Sequence, residues 1–167
     1  MSRIISGITL SSVTDLTKSD LAFLASTEAL PSFSLLNCAV RDNEQITLAD
    51  FKIQKNENLV SFNISGLTPL FTSDNNPMTH FPLSWSSLKK LTTVNLGNCG
   101  LSKEGIEDIV SSFITAVESG LGQNGTGAKT LTITGNNARY PTATAGTIAN
   151  DQLVKLTALG WTLQTNP

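Results

Sequence analysis

Few side chains in this sequence do chemistry unaided, and each is weighed by its neighbours. The single histidine, His80, stands beside Phe81 and Pro82 in TPLFTSDNNPMTHFPLSWSSLKK, residues 68–90. A lone imidazole with no acidic or cysteine neighbour at fixed spacing reads as a turn residue, and without a second histidine no His-based zinc spacing exists. The two cysteines, Cys38 and Cys99, lie in LLNCAV and LGNCGL, where no cation stands by to lower a thiol pKa. The runs DNEQ (42–45) and SDNN (73–76) lack the alternating oxygen ligands and closing glutamate of a calcium loop, and read as solvated turns. GLGQNGTGAK (120–129) is rich in glycine but lacks the G-x-x-x-x-G-K-[ST] spacing, and it joins a helix to a strand, the reverse of a phosphate loop. Two stretches, Asn63-Ile64-Ser65 and Asn124-Gly125-Thr126, match the glycosylation sequon. The opening MSRIISGITL, with one arginine and no long apolar run, is not expected to be a secretory leader. No pair of titratable groups has the spacing of a nucleophile with its base, a carboxylate dyad or a metal cage. The expectation is a protein that is not an enzyme and takes no metal and no cofactor.

Composition excludes two further classes. Only 14% of the 167 residues are charged and the net charge is −2, so the clustered Lys and Arg that neutralise phosphates are missing and no nucleic-acid partner is expected. No apolar run approaches the ~18 residues of a membrane span, so no membrane insertion is expected. Serine, threonine and asparagine carry the polarity. One domain spanning 1–167 is expected from the length.

What must position any binding surface is a repeated spacing, clearest in LTTVNLGNCGL (91–101). Leu91, Val94, Leu96, Cys99 and Leu101 are apolar at offsets 0, 3, 5, 8 and 10. The same offsets are met by Ile5, Ile8, Leu10 and Val13; by Leu30, Phe33, Leu35, Cys38 and Val40; by Leu59, Phe62, Ile64 and Leu67; and by Ala128, Leu131, Ile133, Asn136 and Ala138. Equivalent strand residues 8, 33, 62, 94 and 131 step by 25, 29, 32 and 37. This pattern resembles the leucine-rich repeat, L-x-x-L-x-L-x-x-N/C-x-L.

The resemblance implies an α/β fold: a short leucine-rich-repeat-like solenoid with a curved parallel sheet of five to six strands and helices or loops on the convex side. Its units run near 5–29, 30–58, 59–90, 91–127 and 128–158, with a capping strand at 159–165. It also places Cys38 and Cys99 at the N/C position, two units apart. There, at ~4.8 Å per strand, they lie about 10 Å from each other, out of disulfide reach.

The elements between the strands differ in kind. LTKSDLAFLAST (16–27) reads as a helix capped by Thr17, with Leu21 and Leu24 inward. ITLADFKIQKN (46–56) fits neither period, though Thr47 is placed to cap a short helix. Residues 68–90, with three prolines, read as loop with one helical turn near Trp85. Ser102 caps a helix whose stripe is Ile106, Ile109, Val110, Phe113, Ile114 and Val117, ending near Gly120. GLGQNGTGA after it reads as a flexible turn. NDQLVKLTAL is a helix capped by Asn150 or Asp151, stopped by Gly160, and WTLQT is a last strand whose Trp161 and Leu163 close the sheet.

The ending ITGNNARYPTATAGTIANDQLVKLTALGWTLQTN also resembles the closing unit of leucine-rich-repeat-like proteins of bacteriophage virions and bacterial surfaces. It does so through GNNA, a Pro-Thr connector and a final helix followed by GWT. This implies a virion setting (alternatively extracellular or cell-surface). It also implies partners among other virion or surface subunits, or a host glycan.

In such repeats the residues between buried strand positions form the concave face. The binding candidates there are Thr9, Ser11, Ser34, Asn63, Ser65, Asn95, Thr130, Thr132 and Thr134, a small, uncharged set without the Trp, Tyr or Arg anchors of tight protein interfaces. A second candidate surface is the long loop, through Phe71, Met78, His80, Phe81 and Trp85, whose apolar content calls for cover. Together these features predict a non-enzymatic structural or interaction module. The setting they favour is a phage tail, fibre or baseplate, for assembly or host adhesion; the alternative is a carbohydrate-binding surface or secreted repeat protein.

Overall fold

The computed structural model describes residues 6–25, 30–41, 46–68, 80–138, 140 and 148–166. Within them lies one open six-stranded sheet in the order β1-β2-β3-β4-β5-β6, every pairing parallel. The strands are β1 (Ile8–Ser11), β2 (Ser32–Leu36), β3 (Ser61–Asn63), β4 (Thr93–Asn95), β5 (Lys129–Ile133) and β6 (Trp161–Thr165). The described helices are α1 (Lys18–Ala25), α2 (Lys103–Glu118) and α3 (Ile148–Ala158). The fold is therefore α/β with an all-parallel sheet, each strand pairing with the next in sequence. Ile5, expected to open the first unit, lies outside the described residues.

Alternation sorts each strand into two faces. Phe33 and Leu35, Phe62 and Ile64, Val94 and Leu96, and Leu131 and Ile133 are fully buried. The aligned corner after each of the first five strands needs a left-handed backbone, and the sequence supplies residues that tolerate one: Ser12 (φ 57°), Asn37 (51°), Gly66 (77°), Asn98 (56°) and Gly135 (83°). The amides of Ser12, Asn37, Gly66 and Asn98 donate to Leu36, Ser65, Gly97 and Thr134 on the next strand, so the ladder continues through the bend. At Gly66 and Gly135 a Cβ would collide with the side chains of Asn37 and Asn98, one corner down. Asparagine and glycine here are a matched pair.

What fills the space under the sheet varies from one connection to the next. Thr17 caps α1 through a reciprocal pair with Asp20: its hydroxyl accepts from the Asp20 amide, and the Asp20 carboxylate accepts from the Thr17 amide. Leu21 is buried and Leu24 half-buried, as the spacing predicts. The ambiguous 46–56 resolves into two 3-10 turns, Leu48–Asp50 and Ile53–Lys55, with Thr47 and Asp50 forming the same kind of box. Ser102 accepts from the Gly105 amide at the start of α2, and all six residues of its expected stripe are buried.

Three expectations are corrected. α3 begins at Ile148, so Asn150 and Asp151 lie inside its first turn and neither is its cap. GLGQNGTGA is not slack. The Gly122 amide donates to Leu88 and that of Asn124 to Lys89, Leu121 is buried, and a Cβ on Gly122 would stand 2.5 Å from the Leu91 carbonyl oxygen and 2.8 Å from the Trp161 ring. Gly122 is required by close approach, and so is Gly125, whose Cβ would stand 2.5 Å from the Thr92 methyl, whereas Gly127 has open space around it. The third concerns the loop aromatics. Phe81 and Trp85 are 2% and 1% exposed, and they are links in a chain of edge-to-face and stacked rings. It runs Phe33–Phe62 (5.7 Å), Phe62–Trp85 (4.9 Å), Trp85–Phe81 (5.0 Å), Phe81–Phe113 (4.8 Å) and Phe113–Trp161 (4.8 Å). The 3-10 turn Leu83–Ser87 thus does for β3 and β4 what α2 does for β4 and β5.

Candidate functional site

The polar residues between the buried positions fall into three rows across the sheet. Cα register aligns Thr9, Ser34, Asn63, Asn95, Thr132 and Gln164 in one row. A second aligns Ser32, Ser61, Thr93, Thr130 and Thr162. The third begins Ser11–Leu36, and a Cβ placed on Gly97 would lie 3.5 Å from the Ser65 hydroxyl and 3.6 Å from that of Thr134, which puts those three side by side. All nine residues expected on this face are therefore on it. Thr162 and Gln164 extend it onto β6. The reading missed them because the capping strand does not follow the repeat spacing, although its own alternation, WTLQT, already set them opposite Trp161 and Leu163.

Local bonds fix how these groups present themselves. The Asn63 Oδ1 accepts from the Ser65 amide (3.0 Å) and the Asn95 Oδ1 from the Gly97 amide (2.9 Å). Each carboxamide is thereby turned so that its NH2 group is the end left for a ligand. Thr132 donates its hydroxyl to the Gln164 Oε1 (2.8 Å), tying β5 to β6 on the same face. The rows hold hydroxyls, carboxamides, glycine and one leucine, with no charge and no ring. Such a face is a flat bed of neutral donors and acceptors.

Charges lie elsewhere. Arg41 grips both carboxylate oxygens of Asp15 (2.8 and 3.0 Å), and that bond holds Asp15 below the usual carboxylate range. The hydroxyl and amide of Thr17 do the same for Asp20. The buried Tyr140 hydroxyl donates to Gln152 Oε1 (2.6 Å), and burial with Glu107 nearby pushes it up to about 12.

The two thiols are buried and free. Cys99 donates to the Ile64 carbonyl (3.3 Å) and Cys38 to that of Leu10 (3.9 Å), each reaching the same register position one strand back. Burial pushes the Cys99 thiol up to about 12, which keeps it protonated and unreactive. The fifth unit repeats the arrangement with a stronger donor. Asn137 Nδ2 bonds the Leu96 carbonyl (2.7 Å) while its Oδ1 accepts from the Leu101 amide (2.9 Å). The expected residue was Asn136, which is exposed and instead accepts from Gly100. GNNA is no longer than the matching NCGL stretch; the buried role passes from the Cys99 position to the next one, where Asn137 stands at the place of Gly100.

Of the loop candidates, Phe71 and Met78 lie outside the described residues. His80 is half-buried, with Nδ1 lacking a hydrogen-bond partner among the described residues. It lines a cleft of about 390 Å³ with Ala49, Phe81, Pro82, Leu83, Ser112 and Thr115, and none of these is a carboxylate or a second base. Among the described residues no group of three or more His, Cys, Asp or Glu is placed to hold a metal ion, and no helix is long and apolar enough to cross a membrane. Compared with known proteins, the chain matches no family model, no curated protein and no solved structure.

Proposed function

We propose that this chain is a non-enzymatic interaction module, built as a leucine-rich-repeat-like solenoid, whose open sheet face holds a glycan on a host surface. The observation that carries the reading is the set of in-register rows of Ser, Thr, Asn and Gln, neutral throughout, over the whole width of the sheet. Sugars are polyols. They are matched by closely spaced neutral donors and acceptors, and such a bed spares the ligand the desolvation of a charge. The solenoid part of the proposal rests on the five left-handed corners at one register and on strand-to-next-strand pairing throughout. The setting we propose is a bacteriophage virion, in a tail, fibre or baseplate, because the closing GNNA-to-GWT stretch resembles such proteins.

One observation favours the second setting, a carbohydrate-binding repeat protein of a cell surface or secretion. Phe81 and Trp85 pack against Phe113 and Phe62 of their own chain, so these loop aromatics are not left for a neighbouring subunit. Both settings use the same face.

A glycan array probed with the purified chain tests the face. The expected result is binding to a defined sugar that disappears in Ser61→Arg, whose long side chain lies across the second row without touching the core. A silent array, or binding that survives Ser61→Arg, overturns the open-face reading. Immunogold labelling of virions and of cell surfaces with antibodies to the chain separates the two settings.

A further inference from the structure

We infer that copies of this chain associate head to tail, the outer edge of β6 in one copy adding in parallel to the outer edge of β1 in the next. Three observations converge on a second copy as the occupant of these edges. The first is geometric. Every pairing in the sheet is parallel and follows one rule, in which the amide of a core-facing residue donates to the open-face residue of the following strand, as Ile64 does to Asn95 and Leu96 to Thr132. By the same rule the β6 amides of Leu163 and Thr165 point away from β5, and the β1 carbonyls of Thr9 and Ser11 point away from β2. Among the described residues nothing pairs with either edge. Carrying the internal register forward sets Gln164 beside Thr9 and Leu163 beside Ile8, so the polar row and the apolar row both continue across the junction.

The second observation is that neither edge is defended. Exposed edge strands are ordinarily blunted by lysine, proline or a bulge, yet ITLS and WTLQT hold no charged residue and no proline. The third is where the core is left uncovered. Among the described residues, the half-buried apolar side chains packed against the core all lie at its ends: Ile8, Leu10, Val13 and Leu24 at one, Ala138, Leu159 and Leu163 at the other. Val154 of α3 is 60% exposed at that second end. A stack with bare ends gains most by meeting its own opposite end, and such a heterologous contact generates open linear oligomers. This contact uses the edges and leaves the open face free, so its failure and the failure of glycan binding are separate results.

The test uses two variants that each remove one outward amide. Thr9→Pro blocks the β1 edge and Thr165→Pro the β6 edge, at positions where the lost N–H has no partner in the sheet. By light scattering, the parent chain is expected to grow with concentration in multiples of 17.7 kDa. Each variant alone is expected to stay monomeric, and an equimolar mixture to give a 1:1 dimer and nothing larger. Should circular dichroism show either variant unfolded, a second pair decides. Thr9→Lys with Gln164→Lys in one chain sets like charges opposite and abolishes association, whereas Thr9→Lys with Gln164→Glu restores it. A parent chain that stays monomeric at millimolar concentration, growth that stops at a symmetric dimer, or association indifferent to these substitutions overturns the proposal.

Discussion

Phe62 and Asn63 are neighbours in β3 and belong to opposite halves of the molecule. Phe62 is fully buried, stacked on Phe33, with Phe51 and Trp85 edge-on to its ring. Asn63 lies half-buried on the open face, in a row that runs from Thr9 to Gln164. The division repeats on every strand, because a pleated backbone turns successive side chains to opposite sides. It teaches a separation of labour. Burial of aromatic and branched side chains on one face stabilises the fold, so the other face, where Ser34 and Gly97 are its buried members, carries little packing duty and its chemistry is freer to vary.

Truncating the core face should have the largest effect. Phe62→Ala removes a ring that bridges β2, the 46–56 turns and the Leu83–Ser87 turn, and is expected to cost about 3–5 kcal/mol in urea unfolding. A loss under about 1 kcal/mol would mean that the ring chain is not a structural spine. The second test separates the faces by pH. The Cys99 thiol ionises near 9.0 when the chain is unfolded but is held up at about 12 in the fold, so its folded pKa is raised. Between those values the unfolded chain has released a proton that the folded chain retains. Stability, full below pH 9, therefore falls as pH rises toward 12, by about 1.4 kcal/mol per pH unit from this group. Tyr140, raised from 10.0, adds in the same direction. Cys99→Ala should flatten the alkaline slope measured by urea titrations at successive pH values; an unchanged slope would place the titrating group elsewhere. The rows of the open face hold no titratable side chain, so ligand affinity should stay level over the pH range in which the fold is intact.

The same contrast explains what the sequence made readable. Positions with a strict period, the strand pairs such as Val94 and Leu96 and the α2 stripe from Ile106 to Val117, announce themselves because one face of a regular element must be apolar. The open-face residues followed by elimination from the same alternation. In 46–56 the period fails because two 3-10 turns bring Leu48 and Phe51 inward three residues apart and then break before Ile53. That Phe81 and Trp85 call for cover was legible, but that their own chain supplies it was not, because a proline-rich stretch has no period at all. Their inward packing depends on a gap under β3 and β4 that only the neighbouring connections define. Gly122 looked slack because a sequence does not show the Trp161 ring standing 2.8 Å from the place where its Cβ would be. The buried role fell to Asn137 and not to Asn136 because GNNA offers two adjacent asparagines and the spacing rule names the first, whereas it is the second that reaches the Leu96 carbonyl.

The smallest expected effect on stability carries the most information about function. Thr93 stands in the middle of the second row, half-buried between Ser61 and Thr130. Thr93→Val keeps the branched shape that suits a strand and removes only the hydroxyl. Away from the core such a change should leave unfolding free energy within about 0.5 kcal/mol of the parent. If the face binds a polyol, one neutral hydrogen bond is lost, worth about 0.5–1.5 kcal/mol, or roughly 2- to 12-fold in affinity by calorimetry. Equal stability with weakened binding ties the function to the open face. Equal stability with unchanged binding at Thr93, and likewise at Thr130, would move the ligand off the middle row. A large loss of stability would show that this face does packing work after all, and that the two halves of each strand are not as independent as their burial makes them.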